Sequence, residues 1–210
     1  IFELPHLPRS IAVIGSGVIA IELAQAMHRL NVKTTIFARS RRVGTLSSPG
    51  LQQLAQNELQ KELDIKFEIL PQTVKNTAKG VEISYTENSE HKILHADYLL
   101  SATGRNSSLT QLKLEKINPA FADIKLLPIH AGTKQLAGYP IFIAGDAHTA
   151  TPIQHEAAHE GRTAVQHCLN FPNVQKTKTL TPLGIVFSSP EMAIAGKSFK
   201  QLADGNAEFV

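Results

Sequence analysis

The residues best suited to chemistry in this 210-residue chain fall into a few short groups. Gly15-Ser16-Gly17-Val18-Ile19-Ala20 has the spacing G-x-G-x-x-[GA]. In that pattern the first glycine permits a tight turn and the second lets a pyrophosphate approach the backbone. The small third residue lets the following helix pack close to its strand. The helix N-terminus then offers free N–H groups and a partial positive charge to the phosphates. Ala38 lies 23 positions after Gly15, where an acidic residue would hold a free ribose 2′-OH. Ala38 has no carboxylate, and Arg39 follows it, with Arg41 and Arg42 close behind. Guanidinium groups bind phosphate in bidentate fashion, so NADP is expected over NAD. A solvated basic loop is the alternative, since arginines are mostly exposed. Gly145-Asp146 ends an apolar run and reads either as a ligand site or as a turn carboxylate. His155-Glu156-Ala157-Ala158-His159 has the spacing H-E-x-x-H, which on a helix puts two imidazoles on one face with a general base between them. The single cysteine, Cys168, leaves no internal redox pair and no disulfide framework.

The elements that must position these groups follow from periodicity. Ile11 to Ile14 is short, apolar and β-branched, as a buried parallel strand should be. A helix is expected from Val18 to Leu30 with Ile19, Leu23, Ala26 and Leu30 on its buried stripe, then a strand from Lys33 to Ala38. Ser48 and Pro49 open a second helix that buries Leu51, Leu54, Leu59 and Leu63, and Ile65 to Ile69 gives a third strand. Thr73–Asn76, Val81–Tyr85 and Lys92–His95 read as an antiparallel meander joined by turn-rich segments. A strand from Tyr98 to Ala102 returns to Thr103-Gly104-Arg105. Residues 106–139 are irregular. Ile141 to Ala144 reads as an apolar strand, Pro152 to Leu169 as a helix, Gly184–Phe187 as a strand and Ser198–Leu202 as a helix start.

Composition excludes several classes. With 42% hydrophobic and 19% charged residues the chain is globular rather than disordered. A net charge of +3, with basic residues scattered, is too weak for a nucleic-acid surface. No apolar run approaches the about 20 residues that span a bilayer. The chain opens at Ile1-Phe2-Glu3 without a starting Met or signal peptide, as an internal piece of a cytoplasmic protein would.

Several phrases in order resemble the FAD-dependent pyridine nucleotide–disulfide oxidoreductases, the family of lipoamide dehydrogenase, glutathione reductase and mercuric reductase. Gly15 to Ala24 is similar to the opening of its nucleotide domain. Ala96-Asp97-Tyr98-Leu99-Leu100-Ser101-Ala102-Thr103-Gly104-Arg105 is similar to the strand that leaves that domain. Ile141 to Asp146 resembles its second flavin motif, and His155 to Arg162 the helix after it. Pro182 to Gly196 resembles the first strand of its dimerisation domain. The resemblance implies that Gly15, Ser16, Gly17, Val18, Ile19, Ala20 and Glu22 line the pyrophosphate and nicotinamide ribose, with Glu22 near the nicotinamide. It implies that Val74 offers its backbone to the adenine and that Gly104 approaches the nicotinamide side. Asp146 would hold the flavin's ribityl hydroxyls, and Pro152, Ile153, Gln154 and His155 would set a helix N-terminus beside its pyrimidine carbonyl. The family's first flavin motif, its C-x-x-x-x-C and its His-Pro…Glu segment do not occur in these 210 residues.

The expectation is therefore an α/β protein. Residues 8–106 form a Rossmann-like NAD(P)-binding domain with a parallel sheet and a meander. Residues 107–178, with 1–7, belong to part of an FAD-binding domain, and 179–210 open a dimerisation domain. The parent would be a homodimeric flavoprotein reductase that passes a hydride from NAD(P)H to FAD, and the fragment alone is expected to be inactive. A non-enzymatic NAD(P)H-binding or sensing module is the rival. Ile141, Ile143 and Ile153 are expected on an exposed apolar face. The H-E-x-x-H spacing also admits a zinc hydrolase, but the longer metzincin pattern would need Gly at Arg162 and His at Val165, and a third protein ligand is missing. Elemental analysis after metal-free dialysis should therefore find no stoichiometric zinc. One-to-one zinc that is lost in His159→Ala would revive the hydrolase.

Overall fold

The computed structural model describes residues 1–148, 153–177 and 179–205. The chain divides into two compact units: Ile1–Gly104 together with the chain from Leu183 onward, and Arg105–Pro182.

The first unit is built on a parallel sheet. Strands β1 (Ser10–Ile14), β2 (Lys33–Ala38), β3 (Asp64–Phe67) and β7 (Tyr98–Ser101) lie in the order β3-β2-β1-β7. Every pairing is parallel, with Ile11 opposite Thr34 on one side and Tyr98 on the other. Alternation along the strands sends side chains to two faces. Val13, Ile36 and Ala38 join one core with helices α1 (Val18–Arg29) and α2 (Pro49–Leu59). Ala12 and Phe37 join the other, against Ile83, Tyr85 and Ala96 of an antiparallel meander made of β4 (Thr73–Thr77), β5 (Gly80–Glu87) and β6 (Glu90–Ala96). Phe37 meets Tyr85 edge to face, with ring centroids 5.1 Å apart, a favoured aromatic geometry. The result is three layers: helices, parallel sheet, meander. A hairpin of β8 (Leu183–Val186) and β9 (Met192–Ala195) adds Val186 and Met192 to the helix-side core. A short helix, α4 (Phe199–Asp204), follows behind a capping box of Ser198 and Gln201. The β9 strand was not expected, because its four residues Met-Ala-Ile-Ala carry little β signature.

Both helix stripes differ in part from expectation, although Leu59 and Leu63 are buried as expected. On α1 the buried residues are Ala20, Ile21, Ala24, Gln25 and Met27, while Ile19 and Leu30 are about half exposed. Ala20 and Ala24 let the helix approach the sheet closely, Ile21 and Met27 fill the core beside them, and Ile19 and Leu30 are turned outward. On α2 the buried residues are Gln52, Ala55, Gln56 and Leu59, and Leu51 and Leu54 are exposed at 52% and 55%. Ser48 occupies the N-cap position, but its hydroxyl makes no capping bond.

At the other end of the sheet, Asp97 ties the entry of β7 to that of β1. Its carboxylate accepts from the Arg9 backbone N–H at 2.8 Å and from Arg9 Nη2 at 3.0 Å. These bonds hold the Asp97 carboxyl below its ordinary range.

In the second unit, residues 106–139 form short 3-10 turns over Ser108–Leu112, Leu114–Lys116, Pro119–Phe121 and Ile124–Leu126. Leu109, Leu114, Phe121, Leu127, Leu136 and Ile143 make its core. Ile143 is thus buried rather than part of an exposed apolar face. Ile141–Ala144 is extended but is not a strand, having a single bridge, from Phe142 to Gln135. A strand needs a ladder, and the described residues supply only that one partner. Helix α3 runs over Gln154–Leu169.

A tight steric constraint lies at Gly15, where φ is +122° and a Cβ would lie 2.4 Å from the Ala102 carbonyl oxygen. Gly15→Ala combines backbone strain with overpacking and should destabilise the first unit by about 2–4 kcal/mol. Urea unfolding followed by circular dichroism reads this as a lower midpoint. An unchanged midpoint would show that the turn relaxes freely.

Candidate functional site

The glycine turn lies at the carboxyl end of the parallel sheet, where open α/β sheets bind ligands. Gly15 closes onto β2 through its N–H, which donates to the Phe37 carbonyl at 2.9 Å. Gly17 is the N-cap of α1, with no side-chain cap, and a Cβ built on it would meet nothing within 4 Å. The approach to this backbone is open, and the first-turn N–H groups of α1, orphaned in any helix, carry no side-chain cap to compete with a ligand. Ser16 turns back instead of outward. Its hydroxyl donates to the Arg42 carbonyl at 2.6 Å, and its carbonyl accepts from Gly44 N–H at 2.9 Å. Val18 is half-buried, Ile19 exposed and Ala20 fully buried against the sheet.

Ala38 is the last residue of β2 and is fully buried. Beyond it the three arginines part company. Arg41 lies over the Phe67 ring, 5.4 Å from its centroid, and 4.0 Å from Glu68. Arg39 and Arg42 are exposed, and among the described residues their guanidinium groups have no hydrogen bond or ion pair. Glu22 is directed to the hairpin, where its Oε1 accepts from the Phe187 N–H at 2.8 Å. Val74 is exposed on β4, opposite Ile83. Gly104 follows β7 with φ +113° and open space where a Cβ would stand. The structure thus brings Gly15, Ser16, Gly17, Val18, Ala38 and Arg39 together at the carboxyl end of β1 and β2, while Val74 lies out on the meander.

Asp146 and residues 153–155 belong to the second unit. Asp146 Oδ2 accepts from Arg105 Nη1 at 2.9 Å, and both side chains are exposed. Gly145 has φ +63°, and a Cβ there would press on Ala157 Cβ at 3.0 Å, so the turn sits directly on α3. Its N–H donates to Glu160 Oε2 at 2.8 Å, and Glu160 Oε1 accepts from Lys134 Nζ at 2.6 Å. Ile153 is the N-cap of α3 and cannot bond the first-turn N–H groups. Gln154 and His155 are exposed, His155 lies 3.9 Å from the buried Glu156, and Pro152 falls outside the described residues. No group of three His, Cys, Asp or Glu side chains is placed to hold a metal among the described residues. Sequence reasoning gave no role to Glu160, Lys134, Gln52 or Gln56. Only their place as polar residues on buried helix faces, or as partners across the turn, could have flagged them.

A parallel sheet, a glycine turn with open backbone and an uncapped helix together form a Rossmann-type arrangement. The chain belongs to the pyridine nucleotide-disulphide oxidoreductase family, whose model matches residues 1–161. It is 27% identical over 209 residues to the mercuric reductase of Staphylococcus aureus, covering 95% of this chain and 36% of that one. To the dihydrolipoyl dehydrogenase of Geobacillus stearothermophilus it is 26% identical over 209 residues, covering 99% of this chain and 44% of that one. The chain therefore spans less than half the length of these relatives. Among solved structures, LpdA of Mycobacterium tuberculosis superposes with a TM-score of 0.74 at 22% identity, covering 98% of this chain and 44% of that one. The HOCl-induced flavoprotein disulfide reductase RclA of Escherichia coli, solved as a Cu(II) complex, gives 0.73 at 18%, covering 99% of this chain and 46% of that one. These two share the fold.

Glu160 supplies the acceptor for the Gly145 N–H in the Gly145-Asp146 turn. Glu160→Ala leaves the Gly145 N–H without its acceptor, at a cost of about 1–3 kcal/mol. Amide exchange at Gly145 should accelerate about tenfold or more in a mass-spectrometric exchange experiment. Unchanged exchange there would show that packing on Ala157 holds the turn by itself.

Proposed function

We propose that the first unit seats a reduced pyridine nucleotide, NADPH in preference to NADH, and presents it for hydride transfer in a flavoprotein disulfide reductase of the lipoamide dehydrogenase type. The observation that carries this reading is the end of β2, where buried Ala38 offers no carboxylate and the unpaired guanidinium of Arg39 follows. A carboxylate there would hold the free 2′-OH of NADH and repel a 2′-phosphate. Its absence removes that repulsion, and Arg39 and Arg42 supply attraction.

The remaining roles follow the chain's own groups. The open backbone at Gly17 and the first turn of α1 suit a pyrophosphate, which gains both hydrogen bonds and the favourable end of the helix dipole. Val74 and Gly104 would bound the adenine and nicotinamide ends. FAD, when bound, supplies the acceptor for the hydride. In the second unit the exposed Asp146 carboxylate and the uncapped start of α3 over Ile153, Gln154 and His155 suit its ribityl hydroxyls and the electron-rich edge of its ring. A homodimeric parent fits the dimerisation-type hairpin at 183–195.

A charge-assisted hydrogen bond contributes about 1.5–3 kcal/mol, and each 1.4 kcal/mol is about tenfold in affinity. One sound Arg39–phosphate contact therefore gives roughly a ten- to hundredfold preference for NADPH, lowered by salt. Calorimetric titration with both nucleotides checks this, repeated with Arg39→Ala, which should bring the ratio towards one. Equal affinities in the parent chain, or an unchanged ratio in the variant, would refute the assignment.

A further inference from the structure

The loop between β2 and α2, residues 39–46, has no regular secondary structure, yet its backbone is bonded at Arg41, Arg42, Val43, Gly44 and Leu46. Gln56 Nε2 donates to the Arg41 carbonyl, and Ser16 Oγ donates to that of Arg42. Gln52 Oε1 accepts from Val43 N–H at 2.9 Å, while its Nε2 donates to the carbonyls of Val43 at 2.9 Å and Leu46 at 2.7 Å. Gln52 thus pairs with both backbone groups of Val43, as a neighbouring strand would. Val43 itself is fully buried in the helix-side core.

Both glutamines are buried, Gln52 at 8% and Gln56 at 5% exposure, on a helix that turns Leu51 and Leu54 to solvent. Burying an amide is unfavourable unless it is bonded, and leucines in its place would have closed the core. What the amides add is a fixed backbone for the loop. Gln56 has even its Oε1 buried without a partner among the described residues, so its contribution lies in the single bond to Arg41.

We infer that Gln52, with Gln56, is a positioning residue for nucleotide selection, holding the 39–46 loop so that Arg39 and Arg42 meet a 2′-phosphate without first having to be ordered. This rests on the NADPH reading above. Immobilising a free loop on binding would consume much of an arginine–phosphate contact, whereas a loop already held does not incur that loss. Neither glutamine is a ligand for the nucleotide. NADH, which lacks the 2′-phosphate, makes no demand on Arg39 and Arg42, and its affinity reports the rest of the site.

The test is calorimetric titration of the parent chain, Gln52→Leu and Gln56→Leu with NADPH and with NADH. Gln52→Leu keeps the side chain's size and removes three bonds, so NADPH affinity should fall about tenfold, with NADH affinity within about twofold of the parent. Gln56→Leu loses one bond and should give a smaller loss of the same sign. It also decides the matter should Gln52→Leu fail to fold. A purely structural role would lower both affinities together and leave their ratio unmoved, which overturns the inference. A parent preference that survives in the variants likewise overturns this inference alone. Equal affinities in the parent would overturn the NADPH reading and this inference with it.

Discussion

The absence of a side chain at Gly15 is the constraint on which the first unit depends. With the Ala102 carbonyl where a Cβ would be, β1 and β7 converge at their carboxyl ends, and the chain must turn sharply into α1. That turn delivers Gly17 to the helix N-terminus with its backbone open. It also places Ser16 where its hydroxyl and carbonyl reach the loop that follows β2. A side chain at position 15 would push apart the strand ends that make the site, so fold and site share one steric requirement.

Around that turn, apolar and polar groups divide the task. Alternation along β1 and β2 feeds two cores, one under the helices and one under the meander. Those cores fix the layers but cannot fix a loop, whose backbone groups must still find partners. Buried amides do this for residues 41–46. The second unit uses the same device with a charged pair, where Glu160 and Lys134 bind each other and Glu160 takes the N–H of Gly145. In both units a glycine-containing turn next to a helix is held by a polar side chain projecting from a buried helix face.

Membership of the pyridine nucleotide-disulphide oxidoreductase family gives this architecture a chemical setting. Two charge patterns matter there. The start of α1 is free of acidic residues in its first turn, which suits an anion. The arginines beyond β2 are not equivalent, because Arg41 is engaged with Phe67 and Glu68 while Arg39 and Arg42 are free among the described residues. Under the proposed NADPH reading, selection between two nucleotides that differ by one phosphate would depend on these two side chains and on the loop that carries them.

The sequence by itself determined the βαβ core, the meander and the glycine turn. Each rests on local rules: the period of a buried strand, the turn residues between short β segments, the spacing of two glycines and an alanine. It also located Ala38 and Arg39 at the end of β2, since strand length and glycine spacing count residues along one chain. Only the tertiary structure decided which helix faces are buried. Periodicity identifies large apolar residues, but packing on a sheet favours Ala20 and Ala24, and the loop's unpaired backbone draws Gln52 and Gln56 inward in place of Leu51 and Leu54. The strand expected at Ile141–Ala144 failed for a related reason: an apolar run has strand propensity, but a strand exists only where another strand lies beside it. The roles of Gln52 and Glu160 were invisible in the sequence because their partners are backbone atoms, which every residue has and no sequence pattern marks.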